Sequence, residues 1–301
     1  MKNILKVFVL FVCMYSLPGE ILAQGCSDAG LCTLNSFKPK EQSDFGSQFK
    51  LGASLGNADM AIQTIGAYAE FDKQIGAKFG FDVKLTALSQ NGNQISNFGL
   101  SDLYVNTNYR IGEKSRLALG VKIPLSDGNV KENEKSLPMD YQPSLGTYDL
   151  ILGATTSLIG IQLAAAVQFP LTQNKNEYFS AQYPIGTSLS AFQTTNKFKR
   201  SGDIMLRVSY PINLGRKLSI TPSILPIYHL ANDKYTDISG AERVIAGSHG
   251  LTLNGNLYFD YLLGDKSAVQ LNVGAPFVVR DTRPDGLTRS FIATLEYRFT
   301  F

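Results

Sequence analysis

The chain has 301 residues, 44% of them hydrophobic and 18% charged, and its formal net charge at pH 7 is +3. This near-neutral balance argues against the strongly basic surface that nucleic-acid binding needs, so no nucleic-acid partner is predicted. No stretch beyond the N-terminal region comes near 18 consecutive apolar residues, which argues against a membrane-spanning helix.

Residues 1–24 have the layout of a secretory signal peptide. Lys2 and Lys6 flank the start of an apolar run at 4–17, and small residues follow around Ala23. We therefore expect cleavage near residue 24. The alternative is a lipoprotein signal with Cys26 as the acylated residue, but the bulky, polar Gln24 fits a lipoprotein cleavage site poorly.

Residues 25–47 form a polar segment without hydrophobic periodicity, for which we expect either a plug or a periplasmic tail. Cys26 and Cys32 are six positions apart and are predicted to form a disulfide in an oxidising compartment. No metal site is predicted, because two thiols without a nearby histidine leave a ligand set incomplete. No phosphate-cradling glycine loop is found either, and no cofactor is predicted.

Twelve later segments alternate apolar and polar side chains, a period that places one face of a strand in an apolar medium and the other in a polar one. Segment 77–88 illustrates the pattern, since Phe79, Phe81 and Val83 alternate with Asp82 and Lys84. The predicted strands cover 48–56, 62–72, 77–88, 100–111, 116–125, 147–157, 161–170, 202–211, 217–230, 251–263, 267–279 and 290–301.

The connections between these segments are sorted by length. Those after even-numbered strands are predicted to be short, at 73–76, 112–115, 158–160, 212–216 and 264–266, and most others are longer, at 89–99, 126–146, 171–201 and 231–250. Short periplasmic turns opposite longer outer loops are typical of transmembrane barrels. We therefore predict an all-β fold, an antiparallel up-and-down transmembrane β-barrel of about 12 strands at 48–301, with both termini periplasmic.

The polar face of the predicted strands carries charges of both signs. We assign this face to the lumen, because an Arg or Lys facing the bilayer midplane would cost about 2–4 kcal/mol. Since the chain has no Trp, Tyr and Phe are expected to form the interfacial girdles. The lumen-facing candidates are Lys50, Glu70, Lys78, Asp82, Lys84, Asp102, Arg110, Arg116, Lys122, Asp203, Arg207, Asp260, Glu296 and Arg298.

The last predicted strand reads S-F-I-A-T-L-E-Y-R-F-T-F and carries an aromatic apolar face. It resembles the C-terminal recognition strand of Gram-negative outer-membrane β-barrels. That resemblance implies a location in the cell outer membrane, contact with its lipid and insertion by a barrel-assembly machinery, with Tyr297, Phe299 and Phe301 as the assembly signal. The strand is expected to pair with the first one near 48–56. Taken alone, it also suits the last strand of a soluble β-sandwich.

A second resemblance covers residues 99–124, which read G-L-S-D-L-Y-V-N-T-N-Y-R-I and then R-L-A-L-G-V-K-I-P. This stretch is similar to a strand and hairpin of barrels linked to aromatic-compound degradation, which are grouped loosely with the long-chain fatty-acid transporter family. A weaker echo, S-G-D-I-M-L-R-V-S-Y, lies at 201–210. The resemblance implies a transport barrel with an N-terminal plug.

His229 and His249 are the only histidines. A twelve-stranded barrel invites comparison with outer-membrane phospholipase A, whose family uses a Ser–His–Asn set with the serine closely following the histidine. Neither I-Y-H-L-A-N-D nor G-S-H-G-L-T reproduces that motif, so no catalytic residue is predicted and the chain is not expected to be an enzyme.

We therefore predict a channel or transporter that passes or binds a small solute of unknown identity, with hydrophobic solutes included. Twelve strands leave a narrow interior that side chains can largely fill, which argues against a wide general porin. Two alternatives stay open. One is a structural or adhesive barrel that binds an external partner through its loops, and the other is a membrane-embedded lipid hydrolase that uses His229.

Overall fold

The structure is a computed structural model that describes residues 34–39, 46–286 and 289–301. The predicted signal peptide at 1–24 lies outside the described residues. So do Cys26 and Cys32, and with them the alternatives of a disulfide and of lipid attachment at Cys26. These assignments stay predictions.

Twelve antiparallel strands form one closed sheet. Each strand pairs with its neighbours in the chain, and β12 pairs with β1 along almost its whole length, from Gln48 opposite Thr300 to Asn57 opposite Phe291. The strands are β1 Ser47–Ala58, β2 Gln63–Ile75, β3 Phe79–Gly92, β4 Ile95–Ile111, β5 Ser115–Pro124, β6 Asp149–Leu158, β7 Ile161–Pro170, β8 Asp203–Ser209 with its continuation Ile212–Leu214, β9 Leu218–His229, β10 Gly250–Gly264, β11 Ser267–Val278 and β12 Arg289–Thr300.

The predicted fold class is therefore confirmed: the chain is an all-β, closed antiparallel barrel, and its last strand pairs with its first. Among the described residues, closure leaves the barrel sheet without an open edge, as hydrocarbon surroundings require. Among the described residues, no helix is long and apolar enough to cross a membrane.

Large apolar side chains cover the outside of the barrel, and aromatic rings collect near its two ends. The end where β1 begins and β12 finishes, called the terminal end below, carries Phe49, Phe71, Phe79, Tyr109, Tyr210, Tyr261, Tyr297, Phe299 and Phe301. The opposite end, called the loop end, carries Phe98, Tyr148, Phe169, Tyr228, Phe277 and Phe291. Two aromatic girdles with an aliphatic band between them match the interfaces and core of a bilayer.

Turn lengths follow the predicted sorting with one correction. The terminal end has short turns at 76–78, 112–114, 159–160, 215–217 and 265–266. At the loop end, the predicted long loop at 89–99 is wrong, because β3 and β4 extend to a two-residue turn. Asn93 and Gln94 form this turn with φ of 53° and 65°, the left-handed pair that a tight hairpin needs. The hairpin tip at 89–94, S-Q-N-G-N-Q, is polar on both faces, so apolar–polar alternation did not indicate the extension.

The four other long loop-end connections fold into a packed cap over the barrel, defined here as residues 125–148, 171–202, 230–249 and 279–286. One buried apolar cluster contains Ile62, Ile95, Leu137, Tyr141, Tyr178 and Phe192. A second contains Met139, Leu145, Phe198 and Ile245. Asn176 ties two of these loops together, since its Nδ2 donates to the carbonyls of Gly128 (2.9 Å) and Leu137 (3.0 Å).

The lipid-facing assignment of β12 leads to a first prediction. Leu295 lies midway along the strand on the outer face and is 57% exposed, whereas Ile75, 56% exposed, lies at the terminal rim. Leu295→Arg should lower the free energy of unfolding in lipid vesicles by about 2–4 kcal/mol, and Ile75→Arg by about 0–1 kcal/mol, because the cost of a charge depends on depth. Denaturant titration of vesicle-inserted protein measures both, and equal losses would contradict the assignment.

Candidate functional site: the barrel lumen

The lumen contains most of the charges predicted for it. Asp82, Lys84, Asp102, Lys122, Asp203, Arg207, Asp260 and Glu296 are buried inside the barrel, as are Lys50 and Glu70. Arg110, Arg116 and Arg298 are partly buried on the same inner face. Lys78 is the correction: it lies exposed in the turn 76–78, because β3 begins one residue later, at Phe79.

The lumen is asymmetric in side-chain volume. The inner positions of β5, β6 and β7 include Ala118, Gly120, Gly153, Ala164 and Ala166. Large polar side chains project from the opposite wall, made by β1 to β4 and β10 to β12. This difference leaves room beside the small residues that the wall itself does not fill.

One group of ion pairs lies on the large-residue wall. Lys50 Nζ is 2.7 Å from Glu70, whose second carboxylate oxygen is 4.0 Å from Lys84 Nζ. Lys84 also lies over the ring of Tyr68, 4.0 Å from its centroid, and the Tyr68 hydroxyl donates to Glu296. Buried charges in such a low-dielectric interior are tolerated only when paired and hydrogen-bonded in this way.

Arg298 extends this group toward β10. Its Nε donates to Glu296 (2.7 Å) and its Nη2 to Asp260, and the Gln270 amide also donates to Asp260 (2.7 Å). Charged side chains from β2, β10 and β12 are therefore linked continuously around this wall. Such a network fixes the side chains in place and leaves little mobile charge on this side of the lumen.

A separate polar group lies nearer the loop end. Lys122 Nζ is 2.9 Å from Asp149, which also accepts hydrogen bonds from Thr147 (2.6 Å) and from the Gln168 amide. Asp102 accepts a hydrogen bond from the Ser144 hydroxyl in the cap (2.7 Å). These contacts join the inner wall of β4 to β7 to the loop that covers it.

Residues 34–39 lie inside the barrel, against the wall of small residues. Phe37, in the short helix Asn35–Phe37, is 1% exposed, and a Cβ on Gly153 would lie 2.5 Å from its ring. Lys38 Nζ is 2.8 Å from Glu296, and Arg207 Nη1 donates to the Phe37 carbonyl (2.9 Å). This part of the polar segment predicted at 25–47 is thus within the lumen, while 25–33 and 40–45 lie outside the described residues.

Apolar packing holds the same segment deeper in the barrel. Leu34 and Phe37 belong to one buried cluster with Tyr104, Ile151, Ala166, Met205, Leu225 and Ile227. The wall residues of this cluster lie mostly in the loop-end half of the strands, so the lumen at this level contains side chains from the inserted segment as well as from the wall. Removing the segment would open the space that its two apolar side chains now occupy.

A cavity of about 250 Å³ remains between the inserted segment and the terminal ends of β5 to β8. Its basic lining residues are Lys38, Lys114, Arg116 and Arg207, and Glu113 is its acidic one. Hydroxyl-bearing residues and Phe37, Leu163 and Ala164 complete most of its wall. We refer to this space as the lumen cavity.

Beneath the cap lies a compact ion cluster of Arg200, Asp203, His229, Asp233, Arg280 and Asp285. Arg200 pairs with Asp203, and Arg280 Nη2 is 2.8 Å from Asp285. His229 lies between two carboxylates, with Nδ1 2.7 Å from Asp203 and Nε2 2.8 Å from Asp233. Both ring nitrogens of His229 can donate when the ring carries two protons. The cluster then holds three carboxylates and three cations.

This geometry bears on the hydrolase alternative. His229 is 1% exposed and points into the lumen, and its two ring nitrogens bond the carboxylates of Asp203 and Asp233 rather than a hydroxyl nucleophile. His249 is in the cap, where its Nδ1 contacts Asn232 (2.8 Å). Within the described ranges, no cluster of three or more His, Cys, Asp or Glu side chains is arranged to hold a metal ion.

Sequence reasoning missed several members of the lumen and cap. Asp149 is an inner residue of a predicted strand, and alternation with Ile151 and Gly153 could have identified it. Arg200, Asp233 and Asp285 lie in loops, where no period assigns a face. The lumenal position of Phe37 had no sequence signal, because a plug is specified by the space that it fills.

Comparison with known proteins extends only to the fold. No protein-family model matches the sequence, and no curated protein matches it. Solved structures similar to it include the KdgM porin (TM-score 0.45, 6% identity, covering 84% of this chain and 99% of that one) and the NanC porin (0.45, 7%, 85% and 98%). The CymD monoaromatic hydrocarbon channel is also similar (0.45, 8%, 93% and 94%). The closed barrel of this chain is established by its own strand pairing.

The ion cluster predicts unequal effects of two matched substitutions. Asp233 is fully buried and accepts from His229 and from the backbone N–H of Ser201 (2.9 Å), whereas Asp237 pairs with Arg243 at an exposed loop tip. Asp233→Asn should destabilise the cap by about 3–5 kcal/mol, because it breaks a buried charge pair. Asp237→Asn should have little effect, because solvent screens an exposed pair. Limited proteolysis of the loops measures both, and equal protection in the two variants would contradict the role of the cluster.

Two carboxyl groups of the cap have pKa values shifted in opposite directions. Poorly hydrated surroundings raise the pKa of Asp140 to about 7, and the nearby Asp59 and Asp285 carboxylates add to the rise. Burial alone would also raise the pKa of Asp285, but the adjacent Arg280 and Arg200 outweigh it and hold that pKa below its ordinary range. Asp285 therefore stabilises the cap at neutral pH and loses this effect only below about pH 4.

The raised pKa of Asp140 predicts a cap that is more stable in mild acid. A carboxyl group with a raised folded-state pKa favours folding increasingly as the pH falls from about 7 toward about 4. Protease resistance of the loops should therefore be greater at pH 5.5 than at pH 8. The difference between the pH profiles of the wild type and of Asp140→Asn isolates this carboxyl group. Identical profiles would show that Asp140 does not contribute.

Proposed function

We propose that the protein is an outer-membrane transporter for a small solute, closed in the form described here by its own residues 34–39. One observation carries the proposal. The inner wall at Gly153, Ala164 and Ala166 is too small to fill the lumen, and a separate segment occupies the space instead. A barrel with only a structural role could fill its lumen from its own strands, as small barrels do. A lumen filled by a separate segment is what we expect of a channel that opens when the segment leaves.

The contacts of the segment support its role as the gate. Lys38 pairs with Glu296, but Glu296 also bonds Arg298, so withdrawal of Lys38 leaves that carboxylate with a partner. The Arg207 bond to the Phe37 carbonyl can be replaced by water or by a solute. Removing the segment therefore leaves neither Glu296 nor Arg207 without a possible partner. It does expose the apolar surfaces of the lumen that Leu34 and Phe37 now cover.

We place the barrel in the outer membrane with both termini in the periplasm. The apolar outer band between two aromatic girdles supports the membrane location, and the short turns at the terminal end support this orientation. The lipid of that membrane and the barrel-assembly machinery are then its partners. Tyr297, Phe299 and Phe301 project outward from β12 and are available as the assembly signal.

A structural or adhesive role is the second candidate. Its support is the ordered cap, whose loop tips present Ile185 and Ile238 fully or almost fully exposed. Such apolar tips on a rigid support suit contact with an external partner. This role needs no path through the lumen, so conductance separates it from transport.

The transport proposal predicts conductance that depends on the inserted segment. Phe37→Ala should weaken the packing of the segment and raise the open probability of single barrels in a planar bilayer. Lys38→Ala should do the same by removing the ion pair with Glu296. The matched control is Lys266→Ala, in an exposed turn at the same end. Wild-type barrels should show small or infrequent openings.

The outcomes separate the alternatives. Conductance that rises in both segment variants and stays unchanged in Lys266→Ala supports a gate made by residues 34–39. Silent barrels in all four proteins, with heat-modifiable migration that shows folding, would contradict transport and favour the adhesive role.

A further inference from the structure

We propose that the lumen binds a neutral, polyhydroxylated solute, a mono- or disaccharide, on a strip of uncharged polar side chains midway along the barrel. The polar strip is defined as Asn254 and Asn256 of β10, Asn272 of β11, Thr294 of β12 and Ser54 of β1. This inference rests on the proposed transport and names the chemical class of the solute.

The polar strip is continuous across four neighbouring strands. Asn272 lies directly opposite Thr294, and Thr294 lies directly opposite Ser54. Asn256 is the diagonal neighbour of Asn272 on β10, and Asn254 follows two residues away on the same face. Inner neighbours of this kind are about 7 Å apart, along a strand or diagonally across a pair. The three carboxamides can therefore contact hydroxyl groups on one sugar ring or on two joined rings.

Three buried carboxamide oxygens of the polar strip have no hydrogen-bond partner. The Oδ1 atoms of Asn254, Asn256 and Asn272 are all without one among the described residues. Asn254 is fully buried and Asn256 is 6% exposed. Buried polar groups are generally hydrogen-bonded, so three adjacent open acceptors indicate a bound group that donates to them. Hydroxyl groups fit this role, because each can donate to one carboxamide oxygen and accept from a carboxamide N–H.

Glycines leave room in front of the polar strip. Gly274 and Gly66 are inner residues, and a Cβ there would lie 2.4 Å from Asn256 Nδ2 and 2.5 Å from Ser54 Oγ, respectively. These two polar side chains therefore lie close against the wall. Asn272 and Thr294 are partly exposed although they face inward, so the described residues do not fill the lumen beside them.

Because the polar strip carries no charged side chain, it favours a neutral solute. The ionic contacts of Arg298 with Glu296 and Asp260 lie toward the terminal end, and the ion cluster lies beneath the cap. A charged solute on the strip would lose water without gaining a countercharge there, which is costly. An apolar solute would leave the carboxamide oxygens unpaired, which is costly as well. A neutral solute with several hydroxyl groups avoids both costs.

Saturation-transfer NMR on the refolded full-length barrel tests the site, in a zwitterionic detergent that has no sugar head group. The probes are glucose and maltose, each compared with its acid, gluconate or maltobionate. At least one of the two sugars should bind saturably, and its acid should bind at least about tenfold more weakly, because the charge gains no partner on the strip.

Substitutions of the carboxamides locate the binding. Asn256→Leu and Asn272→Leu should each weaken sugar binding about threefold to tenfold, since each removes a side chain that hydrogen-bonds the solute. Asn57→Leu, on the outer face at the loop-end rim of β1, is the matched control and should leave the affinity unchanged. Heat-modifiable migration of each variant shows that the barrel is folded.

The site and the proposed transport fail in different ways. Binding of neither sugar, equal affinity for a sugar and its acid, or wild-type affinity in both Asn256→Leu and Asn272→Leu would overturn the site. Asn272-dependent binding to a barrel that never conducts would sustain the site and contradict transport. Conductance without sugar binding would overturn the site and leave the transport proposal standing.

Discussion

A closed barrel of this size has to fill its interior, and here one wall lacks the side-chain volume to do so. β5, β6 and β7 place Ala118, Gly153, Ala164 and Ala166 on their inner faces, while the opposite wall carries Tyr68, Lys84 and Arg298. The space along the small-residue wall is occupied partly by Phe37 and partly by a cavity. The inserted segment, the lumen cavity and the proposed gate all depend on this difference in volume.

The charged side chains of the lumen also differ between these two walls. On the large-residue wall, Glu70, Glu296 and Asp260 each contact a cation, so the buried charges are largely balanced in pairs. On the small-residue wall, Arg116 and Arg207 face the cavity with Glu113 as the acidic residue of its lining.

Strands and faces were predictable because a period of two is imposed by the bilayer on one side and by the lumen on the other. The pattern identified the inner position of residues such as Asp82, Lys122 and Glu296 without any knowledge of their partners. It failed where that constraint ends. The tip of the β3–β4 hairpin at 89–94 is polar on both faces, and the cap residues Arg200 and Asp285 meet only through tertiary packing. The sequence also does not show which inner positions face empty space, since that depends on the register of neighbouring strands.

The two ends of the lumen are closed by different kinds of interaction, and this difference gives a direction to opening. The loop end is covered by two buried apolar clusters and by an ion cluster whose members would be left buried and unpaired if one were removed. Breaking such a network costs several kcal/mol. The terminal end is closed by residues 34–39, whose polar contacts through the Lys38 side chain and the Phe37 carbonyl can be exchanged for water. In the proposed transporter, a solute arriving from the terminal end would meet the more easily displaced closure. The ion cluster beneath the cap would be the stronger barrier at the other end.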